Sequence, residues 1–446
     1  MSRHQPAPPA PGATAPLRDR TDIVAPAPPA SEPGATPQAP RRLRILLVAE
    51  HTFLVGEPGY NRFRYVCELL ASDHDVTLVT SRFNHFTKSF RPSGAGSTTP
   101  YAVVLMDSSP YTRNLSLGRL RSQRHFARSV YQYASQMQVP PDIIYFSIPT
   151  FGSLLKLRRH IKQHDIQCII DVQDLWPEAM RLLVPIPWLS RLLFLPMQLQ
   201  ASTCYRAADK IIAVSQEYLD RAMRDNTRAV ASAAVYIGTS LSEFDQGTRD
   251  YAARVVKPSA EFWAVYIGTL GASYDIDTLI RATLELSRQG VPGIRLKILG
   301  RGPDRSRLQA LAQTLGAPVD FIDYLPYPEM AAYLSHCDVG VNALRRNSAG
   351  SIINKVGDYF SAGLPVANGS MCAEMRQLIT DYDCGINYTP EDIDSLVSAL
   401  KIHAEDITLR RRQGINARRL AEEKFAREHT YEAIRRLVIG DALVHA

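Results

Sequence analysis

From Leu43 onward the chain repeats one unit: a short, unbroken apolar run, then a longer stretch with apolar positions at helical spacing. The first run is LRILLVA at 43–49. DVTLVTS (75–81), YAVVLMD (101–107), IIYFSI (143–148), CIIDV (168–172), KIIAVS (210–215) and AVYIG (234–238) follow. Continuous apolar runs are expected of strands buried on both faces, as in a parallel sheet covered by helices. A polar stretch over 241–261 interrupts the series. It then restarts with WAVYIGT (263–269), RLKILG (295–300), VDFIDYL (319–325), DVGVNAL (338–344) and LPVANG (364–369). Two series of strand–helix alternation predict an α/β protein of two doubly wound domains. Right-handed crossovers put the loops after the strands on one edge of each sheet, so two facing edges make a cleft. The last helical stretch, 406–443, is long enough to pack across both domains.

The most informative segment is SIINKVGDYFSAGLPVANGS, 351–370. It reads as a short helix, a turn and a buried strand. Lys355 and Asp358 are three apart and share a helix face. Gly363 is placed to end the helix in a left-handed conformation, and Pro365 prevents its continuation. A cation and a carboxylate are thereby held beside a strand end, where open α/β sheets bind nucleotides.

Composition changes this picture little. Of the 446 residues 45% are hydrophobic and 21% charged, as in a globular protein large enough for two domains. Residues 1–42 are rich in Pro and Ala and are expected to be a disordered tail. The net charge of +7 points to an anionic partner such as phosphate or a membrane surface. Six scattered cysteines (67, 168, 204, 337, 372 and 384) lack metal-site spacing and read as reduced thiols of a cytoplasmic protein. No apolar run reaches about 18 residues, and the N-terminus lacks a signal peptide's apolar core. VPIPWLSRLLFLPMQLQ (184–200) is apolar and broken by prolines. It reads either as a buried hairpin of core helices or as a surface that touches a membrane. Arg113, Arg119, Arg121, Arg124 and Arg128 lie upstream and suit an anionic lipid surface or a solvated helix face. The basic charge has no aromatic–basic module beside it, so nucleic acid is not an expected partner.

Four segments of the second half resemble, in order, the retaining glycosyltransferases of family 4. They are YIGTLGASYDIDTLIRA (266–282), LKILGRGPDRSRLQALA (296–312), CDVGVNAL (337–344) and DYFSAGLPV (358–366). In the first half, GEPGYNRFRYVCELLASDHDVTLVTS (56–81), SRFNHFTKSFR (81–91), IIDVQDLWPEAM (169–180) and ADKIIAVSQEYLDRA (208–222) resemble the branch that builds bacterial capsule, exopolysaccharide and O-antigen. The resemblance covers nearly everything from Leu43 onward. It implies a GT-B fold of two facing Rossmann-like domains. Residues 43–245 would form an acceptor domain and 246–425 a nucleotide-sugar donor domain. Residues 426–446 would be a C-terminal helix packing back on the first domain.

The same resemblance implies a hexosyltransferase-type enzyme working with retention of configuration. Its donor would be a nucleotide-diphosphate sugar, UDP-sugar favoured, and its acceptor a lipid-linked glycan at the inner membrane face. No metal or other cofactor is expected. The protein would be cytoplasmic, peripheral on the membrane's inner face. Catalytic roles fall to Lys355, Asp358, Arg301 and Asp174. Donor binding falls to Gly268, Gly271, Arg301, Asn354, Lys355, Asp358 and Glu374. Physically, Gly268 and Gly271 let backbone amides approach an anion ahead of a helix N-terminus, and Arg301 offers a two-point contact to phosphate. Gly56, Gly59 and Asn61 of the entry loop, with His51 and His85, are candidates for the acceptor or phosphate side. The chain departs from the family at three positions. Gly350 replaces the first of two spaced carboxylates, Tyr274 the donor-loop lysine and Thr269 the donor-loop arginine, and Lys355 with Arg301 is expected to compensate. The alternatives are a nucleotide-sugar epimerase of the same fold and a degenerate, non-catalytic nucleotide-binding subunit. A dinucleotide oxidoreductase is disfavoured, because GRGP at Gly300 lacks the third glycine of that fingerprint.

Overall fold

The computed structural model describes residues 41–440, except positions 58, 60, 61, 93, 97, 115, 182, 183, 185, 229 and 349–351. The expected tail (through residue 40), Asn61 and Gly350 therefore lie outside the described residues.

The first lobe is built on β1 (Arg44–Val48), β2 (Asp75–Ser81), a small hairpin β3 (Phe83–Asn84) and β4 (Ser89–Phe90), then β5 (Ala102–Met106), β6 (Ile143–Ile148), β7 (Gln167–Val172), β8 (Lys210–Ala213) and β9 (Ala231–Ala234). Its seven-stranded sheet runs β5-β2-β1-β6-β7-β8-β9, parallel throughout. The second lobe comprises β10 (Phe262–Ile267), β11 (Ile294–Leu299), β12 (Val319–Ile322), β13 (Val339–Asn342), β14 (Val366–Asn368) and β15 (Gly385–Asn387). They form a six-stranded parallel sheet ordered β12-β11-β10-β13-β14-β15. Each order reverses at the lobe's first strand, which opens a crevice outside the carboxyl ends of β1 and β10. All six residues of β10 are buried, which is why that stretch reads as an unbroken apolar run.

Several details differ from the sequence reading. The strand expected at 234–238 ends at Ala234, because residues 235–239 carry the chain across to the second lobe and Gly238 turns it at φ +67°. The polar stretch at 241–261 contains a helix, Leu241–Tyr251, whose Leu241 and Phe244 join the core of the second lobe. That lobe's packing thus begins at Leu241, before the expected boundary at 246. The last helical stretch is broken by a π-turn at Ala421–Phe425. Ala417 and Leu420 pack in the second lobe, while Tyr431, Ile434 and Val438 pack under the first sheet. The 184–200 segment is not a buried hairpin. It forms helices Pro187–Leu193 and Leu195–Ala207, and its larger apolar side chains are mostly exposed. All six cysteines are free thiols. No helix among the described residues is long and apolar enough to cross a membrane.

Candidate active site

A cleft of about 820 Å³ lies between the strand ends of the two lobes. The first lobe contributes Asp174 and Ala179, just past β7. The second contributes Gly268, Arg301, Asn354, Lys355 and Asp358. Of the candidate catalytic residues, all four line this one space.

Helix Asn354–Ser361 positions the central pair. Gly363 takes φ +65° and Leu364 N–H reaches back to Tyr359 C=O at 3.0 Å, so the helix ends in the left-handed turn its sequence predicts. Among the described residues no side chain caps its first turn, and Ile353, Asn354 and Lys355 face the cleft. The positive end of the helix is therefore open to an anion. Lys355 is 8% exposed, and its Nζ has no hydrogen-bond partner among the described residues. The ammonium lies 3.8 Å from the Tyr266 ring centroid and 4.0 Å from that of Tyr274. Burial holds its pKa well below the usual lysine value. The two ring faces return part of the lost hydration as cation–π attraction. Tyr274, which stands where a lysine was expected, is thus one wall of the seat for Lys355.

Asp358 is partly buried and accepts from Tyr327 Oη at 3.0 Å and Thr239 Oγ1 at 3.3 Å, both on Oδ1. Oδ2 makes no hydrogen bond among the described residues. Burial raises its pKa to about 6 against the opposing pull of those two donors and Arg427. Thr239 belongs to the interlobe crossing, where its N–H donates to Phe425 C=O at 2.7 Å. The carboxylate therefore sits where cleft and hinge meet.

The glycines at the strand ends have different roles. Gly268 takes φ +116°, and an added Cβ would stand 3.4 Å from Lys355 Nζ. At Gly300 a Cβ would fall 1.9 Å from Gly268 C=O, so these two strand ends approach only as glycines. Gly271 does not line the cleft, and a Cβ there meets only ordinary contacts. The helix after it, Ile276–Arg288, offers no anion seat, since the Asp275 carboxylate already accepts Thr278 N–H at its N-terminus. Helix Asn354–Ser361 supplies the open positive pole instead.

Other expected residues are engaged elsewhere. Arg301 reaches the rim, but its guanidinium makes a two-point pair with Asp323 at 2.7 and 2.9 Å. Glu374 does not line the cleft. It accepts Gln216 N–H, Glu217 N–H and Tyr236 Oη, at 3.1, 3.2 and 2.7 Å, and so caps helix Gln216–Asp225 of the other lobe. Asp174 accepts Leu175 N–H and Trp176 Nε1–H, combining cleft exposure with a turn-stabilising role, and burial raises its pKa. Gly56 and Gly59 shape the loop after β1 with φ +85° and +149°, away from the cleft lining. That loop is fixed by Glu57, which pairs with Arg91 of the basic segment at 2.7 Å.

His51 and His85 stack at 4.5 Å between ring centroids, beyond the end of β1. Burial together with neighbouring cations lowers the pKa of both, His85 to about 4. As neutral imidazoles they suit hydroxyl groups better than phosphate charge. Sequence reasoning missed the group beside them. Glu50 is 2% exposed, its Oε1 has no hydrogen-bond partner among the described residues and lies 4.0 Å from His51 Nε2, and burial pushes its pKa to about 8. Arg119 acts electrostatically on Glu50, His51 and His85, and lies 4.9 Å from the Trp176 ring centroid. The signal was present: an acid and a histidine directly follow the first apolar run.

A carboxyl whose pKa is raised on folding costs stability as it ionises. The Glu50 cost is absent below pH 4.5 and complete above about pH 8. Replacing it with Gln should therefore raise the unfolding temperature at pH 8.5 relative to wild type, with no gain near pH 4. Paired melts across that range check this, and an equal effect at both ends would contradict it.

The comparisons agree with this architecture. The Glycosyl transferases group 1 family matches residues 261–406. No curated protein matches the chain by sequence. Sucrose-phosphate synthase from Thermosynechococcus elongatus superposes with a TM-score of 0.68 at 18% identity, covering 89% of this chain and 98% of that one. Anabaena HepE in complex with UDP gives 0.63 at 15%, covering 88% and 98%. WaaG, a glycosyltransferase involved in lipopolysaccharide biosynthesis, gives 0.57 at 14%, covering 89% and 100%. The chain therefore has the GT-B fold, and its residues 261–406 match the Glycosyl transferases group 1 family.

Proposed function

We propose that this protein transfers a sugar from a nucleotide-diphosphate sugar, UDP-sugar favoured, to a lipid-linked glycan in surface-polysaccharide synthesis, with retention of configuration. The observation that carries the reading is Lys355: a buried cation with no hydrogen-bond partner among the described residues, beside an uncapped helix N-terminus. Such a site is completed by an anion. The group 1 domain points to glycosyl transfer, and solved neighbours hold UDP or UDP-glucose. WaaG and the lipopolysaccharide galactosyltransferase WaaB support the envelope-glycan acceptor.

In this reading the diphosphate lies between Lys355 and the first turn of helix Asn354–Ser361, and Asp358 Oδ2 accepts from the ribose hydroxyls. The bond from the anomeric carbon to the diphosphate breaks, and negative charge builds on the leaving oxygen. Lys355 stabilises that charge as it forms, with Arg301 at the rim once released from Asp323. The acceptor oxygen bonds to the same face of the carbon, and its proton passes to the departing diphosphate. Asp174 positions the acceptor from the first lobe. No resident cofactor is assigned.

Incubating the full chain with a panel of UDP- and GDP-sugars and a bacterial lipid extract tests the reading. It expects one labelled glycolipid whose new linkage keeps the donor's anomeric configuration. Inverted linkage would overturn the mechanism. Conversion of the donor with no acceptor would favour an epimerase.

A further inference from the structure

We infer that Glu50, His51, Arg119 and Gln123 form a second binding site in the first lobe, beside the cleft, that takes a sugar bearing a carboxylate. This deepens the proposed function, since it names the acceptor's chemistry and rests on the acceptor entering from the first lobe.

The observation is a convergence of buried polar atoms. Glu50 follows β1 and is 2% exposed, yet its Oε1 makes no hydrogen bond among the described residues. Neither ring nitrogen of His51 has a hydrogen-bond partner among them. Helix Leu117–Ser135 carries Arg119 and, one turn further on the same face, Gln123. Arg119 Nε and Gln123 Nε2 are buried and equally without hydrogen-bond partners among the described residues. Arg119 donates from Nη1 to Asn114 C=O at 3.1 Å, and no carboxylate among the described residues pairs with it. Its charge acts on Glu50, His51 and His85, which places these groups in one neighbourhood. Buried polar groups are as a rule hydrogen-bonded, so four such side chains in one place mark a seat for a polar ligand.

The charges choose that ligand. Burial keeps Glu50 protonated at neutral pH, with a pKa of about 8, and keeps both imidazoles neutral. The Arg119 guanidinium is then the central charge, and Lys88 lies nearby with its Nζ on Asn114 Oδ1. One fork-shaped cation matches one planar carboxylate better than a doubly charged phosphate. The protonated Glu50 donates an O–H to the same carboxylate, and His51 is left for a hydroxyl. Phe86 is 51% exposed, stacks on Phe53 at 4.2 Å and meets His85 edge-on at 5.2 Å. An aromatic face beside a few placed polar groups suits a sugar ring, whose C–H face is apolar.

Trp176 links this site to the cleft. Arg119 lies 4.9 Å from its ring centroid, and its Nε1 donates at 3.0 Å to Asp174, which lines the cleft. A glycan with its reacting hydroxyl at Asp174 is thereby led past Trp176 toward Arg119.

Saturation-transfer NMR on the full chain with methyl α-D-glucuronide and methyl α-D-glucoside tests the assignment. Wild type at pH 7 should bind the glucuronide at least about tenfold more tightly than the glucoside. Arg119→Gln should lose at least about that factor for the glucuronide alone. Wild-type affinity should fall as pH rises past about 8, because ionised Glu50 repels the ligand's carboxylate. Glu50→Gln keeps a donor and should flatten that fall. Of the groups around Glu50, His51 and His85 stay neutral over this range, an arginine stays charged, and the Tyr111 pKa is pushed up to about 12. Lys88, whose pKa burial lowers, is common to wild type and Glu50→Gln, so the difference between them reports Glu50. UDP-induced stabilisation should match wild type in both variants, so a failed donor site is read separately. No glucuronide binding, equal binding of the two sugars, or full binding by Arg119→Gln overturns the proposal. So does a pH profile unchanged in Glu50→Gln. Displacement of the glucuronide by a lower concentration of inorganic phosphate also overturns it and makes the ligand a phosphate.

Discussion

Lys355→Ala lowers sugar transfer by about 10²- to 10³-fold, the usual cost of deleting one preorganised charge contact to a transition state. The expectation follows from where the ammonium lies. It is held by the Tyr266 and Tyr274 rings with no hydrogen-bond partner among the described residues, so none of these competes for it. The same fact gives an opposite effect on stability. Burying an unpaired cation is costly, and burial lowers its pKa, so the apo protein is penalised most where the unfolded lysine is charged. Lys355→Met removes that penalty while keeping the volume. The variant should melt higher than wild type at pH 7, with the gain shrinking as pH rises toward the ordinary lysine pKa. Turnover within a few-fold of wild type would remove Lys355 from the mechanism.

Arg62→Met costs about 3 to 5 kcal/mol of folding stability, because it leaves a buried carboxylate without its cation. Asp171 and Arg62 have fully buried side chains and meet at 2.8 and 3.2 Å. Asp171 also accepts from Tyr145 Oη and Gln173 Nε2, each at 2.6 Å. Arg62 donates to Val235 C=O at 2.9 Å, on the interlobe crossing, and to Tyr431 Oη at 3.3 Å, in the C-terminal segment. One pair thus joins helix Arg62–Ala71, β7, the crossing and the returning chain, and through Gln173 it reaches the cleft. The double variant Arg62→Met, Asp171→Asn should lose less than the sum of its single changes, since no unpaired charge remains. Denaturant midpoints measure all three. A loss below about 1 kcal/mol in the single variant would show the pair to be dispensable.

The sheets were legible because apolar runs such as FWAVYI are buried on both faces and carry their own signature. The helix that presents Lys355 and Asp358 was legible from Gly363 and Pro365, whose backbone limits are local. What escaped the sequence depends on distant partners. Glu374 looked like a cleft acid, yet it caps a helix of the other lobe. Arg301 looked free for phosphate, but Asp323 is within its reach only after β11 and β12 are paired. The helix after Gly271 looked like an anion seat until Asp275 was seen to fill its end. Arg62 and Asp171 are separated by more than a hundred positions, and no local pattern links them. The 184–200 segment was ambiguous because an apolar helix reads alike whether its greasy face turns to a core or to a bilayer.

Calorimetric titration of UDP into wild type and Lys355→Met, in two buffers of different ionisation enthalpy near pH 7, tests the central claim most directly. If Lys355 receives the diphosphate, binding raises the pKa that burial lowers, and UDP association takes up protons from buffer to the extent that the free amine is deprotonated. The account predicts UDP binding with net proton uptake in wild type, and weaker binding without that uptake in the variant. Equal UDP affinity and equal proton exchange in the two proteins would contradict it.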